Sequence, residues 1–112
     1  MLVVEDNDDS REALLELCRL TGHDCVSASS RAEALGLIIS RPPDAILLDL
    51  MLPDGNGMEV LRVVRAHHFP ARVAVVTAAD SPMVAEVKKL RPDALFRKPV
   101  DFAKVRQWLD GE

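Results

Sequence analysis

The sequence predicts an α/β protein, a doubly wound parallel sheet of five strands flanked by five helices. Three observations carry this prediction. Short apolar runs recur without polar alternation, segments of helical spacing separate them, and the resulting order is βαβαβαβαβα. Unbroken apolar runs imply strands covered on both faces, and right-handed crossovers with short connections then place helices on either side of the sheet.

The first strand is Leu2-Val3-Val4, followed by a helix on Leu14, Leu17 and Cys18 that Gly22 closes. Cys25-Val26-Ser27-Ala28 is a more polar second strand and suits an edge. Ser30 with Glu33 forms a capping box for a second helix on Leu35, Ile38 and Ile39, and Pro42-Pro43 stops it. Ala45-Ile46-Leu47-Leu48 gives the third strand, and Val60, Leu61 and Val64 the third helix. Val73-Ala74-Val75-Val76 is the fourth strand; Ser81 is expected to cap the next helix, with Pro82 at its first position and Met83, Val87 and Leu90 on its apolar stripe. Ala94-Leu95-Phe96 is the last strand, and Phe102, Val105 and Leu109 mark the last helix, where Phe102 and Trp108 are expected to pack.

A chain of 112 residues with 48% hydrophobic content supports one domain, residues 1–112. Its 14 basic and 18 acidic residues, a net charge of -4, exclude a basic nucleic-acid or membrane footprint over the whole chain. No apolar run approaches the ~20 residues of a membrane span, and no basic segment leads into a signal-peptide core, so a cytoplasmic location is expected. Met1 begins so close to the first strand that an upstream piece could be missing. Cys18 in a helical pattern and Cys25 in a strand pattern read as small core residues.

On this scaffold Glu5 and Asp6 follow the first strand, Asp49 the third, Thr77 the fourth and Lys98 the fifth. In doubly wound sheets, ligands bind beyond the carboxyl ends of the strands, where all of these fall. Taken singly, each has an ordinary explanation: a loop charge for Glu5, a helix cap for Asp6 or Asp8, a solvated strand end for Asp49. Together they crowd three carboxylates beside one lysine, and a pair of like charges about 4 Å apart repels by about 4 kcal/mol at an effective dielectric of ~20. A cation relieves this, and an oxygen-only donor set suits Mg²⁺ better than zinc. With its charge screened, Asp49 can attack phosphorus while the Thr77 hydroxyl bonds an equatorial oxygen. His23, His67 and His68 fall at a turn and a helix end and suit neither metal nor acid–base work, and Asp54-Gly55-Asn56-Gly57 reads as turn chemistry.

Four segments, Val3-Val4-Glu5-Asp6-Asn7, Leu47-Leu48-Asp49-Leu50-Met51-Leu52-Pro53 with Gly57, Val75-Val76-Thr77-Ala78 and Arg97-Lys98-Pro99, resemble the receiver domain of two-component response regulators over essentially the whole chain. The resemblance implies a flavodoxin-like sheet of order 2-1-3-4-5. It also implies that Asp49 accepts a phosphoryl group from a histidine kinase or histidine phosphotransfer protein. Mg²⁺ would be held by Glu5, Asp6, Asp49 and the Met51 carbonyl, Thr77 and Lys98 would sense the phosphate, and the Lys98-Pro99 bond would be cis. The face of the fourth helix, last strand and fifth helix, with Lys88, Lys89, Arg97, Lys104 and Arg106, would serve a downstream protein, a fused effector or a phosphorylation-promoted homodimer.

Two features depart from or tune that pattern. Leu95 stands where the family often has an aromatic switch residue, and Phe96 should point to the other side of the strand. Met51 and Ala79, both apolar, flank the expected approach of water, which predicts slow autodephosphorylation. A phosphatase resembling haloacid dehalogenases fits less well, since it wants an acid where Met51 stands; a receiver-like module that never takes up phosphate is the third reading.

Overall fold

The computed structural model describes residues 1–111. Strands β1 (Leu2–Val4), β2 (Val26–Ala28), β3 (Ala45–Leu48), β6 (Arg72–Thr77) and β7 (Ala94–Arg97) form the main sheet, with β4 (Met51–Leu52) and β5 (Gly55–Asn56) a small hairpin after β3. Helices α1 (Asp8–Leu20), α2 (Arg31–Ser40), α3 (Met58–Ala66), α4 (Ser81–Lys88) and α5 (Phe102–Leu109) complete the order. The main sheet is parallel throughout and runs β2-β1-β3-β6-β7, which is the expected 2-1-3-4-5 once the hairpin is set aside.

The three central strands read as unbroken apolar runs because both their faces are covered. On one face Val4, Ile46, Leu48, Val73 and Val75 pack against Ile38 of α2, Leu61 and Val64 of α3 and Val87 of α4. On the other, Val3, Leu47, Ala74 and Val76 pack against Leu14, Leu17 and Cys18 of α1 and Val105 and Leu109 of α5. The half-buried β2 and β7 are the edges. Leu95 joins the first cluster and Phe96 the second, so the two side chains lie on opposite faces as strand alternation requires.

Local chemistry sets the helix ends. Asn7, not an aspartate, caps α1 by accepting the Ser10 N–H at 2.9 Å. Ser30 caps α2 through the Glu33 N–H at 3.1 Å. The cap of α4 is Asp80, one residue earlier than Ser81: its carboxylate accepts from the Met83 N–H at 3.1 Å and Pro82 falls within the first turn, where its missing N–H costs nothing. Cys25 precedes β2 instead of belonging to it. Trp108 is half-buried beneath the Arg72 guanidinium, 4.4 Å from the ring centroid, whereas Phe102 is exposed and does not pack into the core.

Candidate functional site

Register builds the site. Val4 pairs with Leu48 in the parallel ladder, and one step further the Asp49 N–H donates to the Val4 carbonyl at 2.9 Å while the Glu5 N–H donates to Ala28 at 3.0 Å. Glu5 and Asp49 therefore end neighbouring strands side by side. At β6, Thr77 is the last strand residue, not the one after it, and its carbonyl accepts the Lys98 N–H at 2.9 Å, which hands the chain from β7 to the site. Among the described residues, the buried polar or charged ones are Glu5, Asp49 and Thr77, all at this edge.

One oxygen from each of Glu5, Asp6 and Asp49 lies within 4.8 Å of the others. The Lys98 ammonium, on a side chain only 23% exposed, ion-pairs with Glu5 and reaches Asp49 Oδ2 at 3.3 Å. Asp49 Oδ1 accepts the Met51 N–H at 3.2 Å, and the Met51 side chain is exposed. The Thr77 hydroxyl accepts the Ala79 N–H at 3.0 Å and keeps its own proton to donate. The Lys98-Pro99 peptide is cis.

The electrostatics follow from burial. Desolvation, reinforced by the neighbouring Asp49 carboxylate and only partly offset by Lys98, pushes the Glu5 carboxyl up to about 7. Burial pulls Lys98 down, but its hydrogen bond to Glu5 and the charges of Asp49 and Glu5 outweigh it, and the ammonium is held above its ordinary value. Glu5 thus carries a demand for positive charge that Lys98 alone leaves unmet. The donor set is all oxygen, Asp6 is exposed to solvent waters, and no imidazole or thiolate joins the cluster; these are the properties of a site for a hard divalent cation such as Mg²⁺.

Three residues support the site in ways the sequence does not announce, although Gly57 belongs to the motif and Asp54 to the turn read above. Gly57 donates its N–H to Leu50 at 2.8 Å, and a Cβ there would stand 2.2 Å from the Asp49 carbonyl oxygen, so only glycine lets α3 begin under the Asp49 loop. Asp54, in the turn of the β4–β5 hairpin, accepts N–H groups of Arg31 at 2.8 Å and Ala32 at 2.9 Å; these backbone bonds hold its carboxyl below the ordinary range and tie the hairpin to the start of α2. Arg11 reaches back from α1 to the Glu5 and Asp6 carbonyls. The basic residues Lys88, Lys89, Arg97, Lys104 and Arg106 are all exposed, spread over the end of α4, β7 and α5.

The model of the response regulator receiver domain matches residues 1–110, and the chain belongs to that family. It is 30% identical over 107 residues to sporulation initiation phosphotransferase F of Bacillus subtilis, covering 95% of this chain and 86% of that protein. It is also 34% identical over 107 residues to a cyclic di-GMP phosphodiesterase of Thermotoga maritima, covering 95% of this chain but 28% of that protein. Against Mycobacterium response regulators named MprA the chain likewise spans only 35% of their length. A crystal structure of a response regulator receiver protein from Pseudomonas putida superposes with a TM-score of 0.88 at 28% identity, covering 99% of this chain and 94% of that one. The class is therefore that of the signalling switches of two-component systems. Among the described residues, no helix is long and apolar enough to cross a membrane.

Proposed function

We propose that this chain is a phosphorylatable switch in which Asp49 takes a phosphoryl group from a phosphohistidine of a histidine kinase or histidine phosphotransfer protein. The observation that carries this reading is the buried pairing of Glu5 and Asp49 at adjacent strand ends under Lys98. A module that only displays its helices has no physical use for buried carboxylates that repel each other. In the transfer an Asp49 oxygen bonds to phosphorus as the bond to the donor nitrogen breaks, leaving an acyl phosphate on this chain and a free imidazole on the donor.

Bound by Glu5, Asp6, Asp49 and the Met51 carbonyl, Mg²⁺ would supply the positive charge that lets an anionic nucleophile meet an anionic phosphoryl group. Lys98 already lies against Asp49 and can turn from Glu5 to a phosphoryl oxygen, while Thr77 has a hydroxyl proton free to donate. Movement of these two groups biases the face of α4, β7 and α5 toward a downstream protein, a fused effector or a second copy of the chain. Shifting such a switch from 1:99 to 99:1 takes about 5.5 kcal/mol, within reach of a few charge-assisted hydrogen bonds. With Leu95 on β7, the readout relies on aliphatic repacking in place of an aromatic swing. The apolar side chains of Met51 and Ala79 cannot orient a water, so the acyl phosphate should be long-lived.

Phosphoramidate, whose phosphorus–nitrogen bond mimics phosphohistidine, tests the reading. In Mg²⁺ the protein is expected to gain base-labile phosphate, and Asp49→Asn or removal of Mg²⁺ to abolish the gain. Equal labelling of Asp49→Asn would reject Asp49 as acceptor.

A further inference from the structure

Two consecutive acids at the end of a strand pose a geometric problem. Successive side chains of an extended chain point to opposite faces, yet Glu5 and Asp6 each contribute an oxygen to one cluster within 4.8 Å. The backbone has to bend between β1 and α1, and something has to hold the bend against the mutual repulsion of the carboxylates it gathers. Arg11 reaches across that bend from α1. Its Nη1 donates to the Glu5 carbonyl at 3.1 Å and to the Asp6 carbonyl at 3.4 Å, and its Nη2 pairs with the Asp8 carboxylate. The side chain is only 21% exposed, and its backbone N–H closes the first helical turn on Asn7 at 2.9 Å.

We propose that Arg11 is a positioning residue for the acidic site: its guanidinium clamps the Glu5 and Asp6 carbonyls together on the α1 side so that both carboxylates turn toward Asp49. A planar fork with donors at fixed angles can span two carbonyls and a carboxylate at once, which the single ammonium of lysine cannot. The clamp exists without an ion; only its consequence for metal affinity rests on the proposed Mg²⁺ reading.

Two simpler roles give opposite results. As a mere positive charge near an acidic site, Arg11 would oppose cation binding, so Arg11→Met would tighten Mg²⁺ and Arg11→Lys would leave it unchanged. As a support of α1 alone, its loss would lower thermal stability without altering the acid loop.

The test compares wild type, Arg11→Lys and Arg11→Met by NMR, reading Glu5 and Asp6 side-chain carboxyl shifts and the amide exchange of Asp6 and Asn7 without metal, then Mg²⁺ affinity by titration, with thermal melts alongside. A clamp predicts shifted carboxyl signals and faster exchange in both variants, and Mg²⁺ binding weaker by about tenfold in both, the scale seen when an outer partner of a metal ligand is lost. Tighter Mg²⁺ in Arg11→Met, or lower melting temperatures with unchanged acid-loop signals, would overturn it. If wild type fails to bind Mg²⁺, the metal reading falls, and the metal-free signals still decide the clamp. Should Arg11→Met not fold, Arg11→Lys alone carries the comparison.

Discussion

On the β1–β3 side of Asp49, the Glu5 and Asp49 carboxylates are buried where the sheet ladder ends; on the β6–β7 side, the buried Thr77 accepts the Ala79 N–H and the half-buried Leu95 pairs with Val75. The first side is defined by charge and is costly in the metal-free protein, because Glu5 and Asp49 share a single lysine. The second is defined inside by the packing of a neutral Thr77 and an aliphatic Leu95, and its charges are Lys98, which is drawn across to the acids, and the exposed Arg97. In the proposed switch this difference puts the stored energy on the acidic side, preorganised for a cation, and leaves the change to be passed outward through the apolar packing of the other side.

The largest test of this contrast is Gly57→Ala. A Cβ at Gly57 would lie 2.2 Å from the Asp49 carbonyl oxygen and 3.0 Å from Leu50 Cα, both backbone atoms that cannot rotate away. Urea denaturation is expected to show a loss of about 3 kcal/mol, at the upper end of overpacking costs. A neutral result would mean that the Asp49 loop yields easily and that the acidic side is no more rigid than its neighbour.

Next comes the charge itself. The Glu5 carboxyl sits at about 7 in the fold against an ordinary 4.5, so the folded state binds the extra proton between those values. Its contribution to stability is fully present below about pH 4.5 and is lost as the pH rises through about 7, a swing of about 3 kcal/mol. Metal-free Glu5→Gln should therefore gain stability on wild type across that window and be the more stable protein at pH 8. A gap between the two melting curves that does not change with pH would contradict the buried-charge account.

The smallest effect is expected on the other side. Leu95→Tyr should change unfolding free energy by less than about 1 kcal/mol, since a half-buried edge-strand position has room to adjust. A loss comparable to that of Gly57→Ala would erase the distinction between the two sides.

The sequence carried the strand ends clearly, because buried parallel strands need unbroken apolar runs and each run stops at a charged or hydroxyl residue: Val4 before Glu5, Leu48 before Asp49, Val76 before Thr77. It carried the β4–β5 hairpin poorly, since two-residue strands have no period to read. Asp80 and Ser81 are both good caps, and only the backbone decides between them. Asp54 binds the start of α2 more than twenty residues away in sequence, and Arg11 acts on carbonyls, which have no side-chain signature. Contacts of that kind are set by the fold after it forms.

The central claim is that Asp49 accepts a phosphoryl group in a cation-dependent site. Incubating the folded protein with Mg²⁺ and acetyl phosphate, then measuring intact mass beside Asp49→Asn, tests it directly. One added phosphoryl group on wild type, absent from Asp49→Asn and absent without Mg²⁺, is the predicted result; an unchanged mass in a folded, Mg²⁺-bound protein would contradict it.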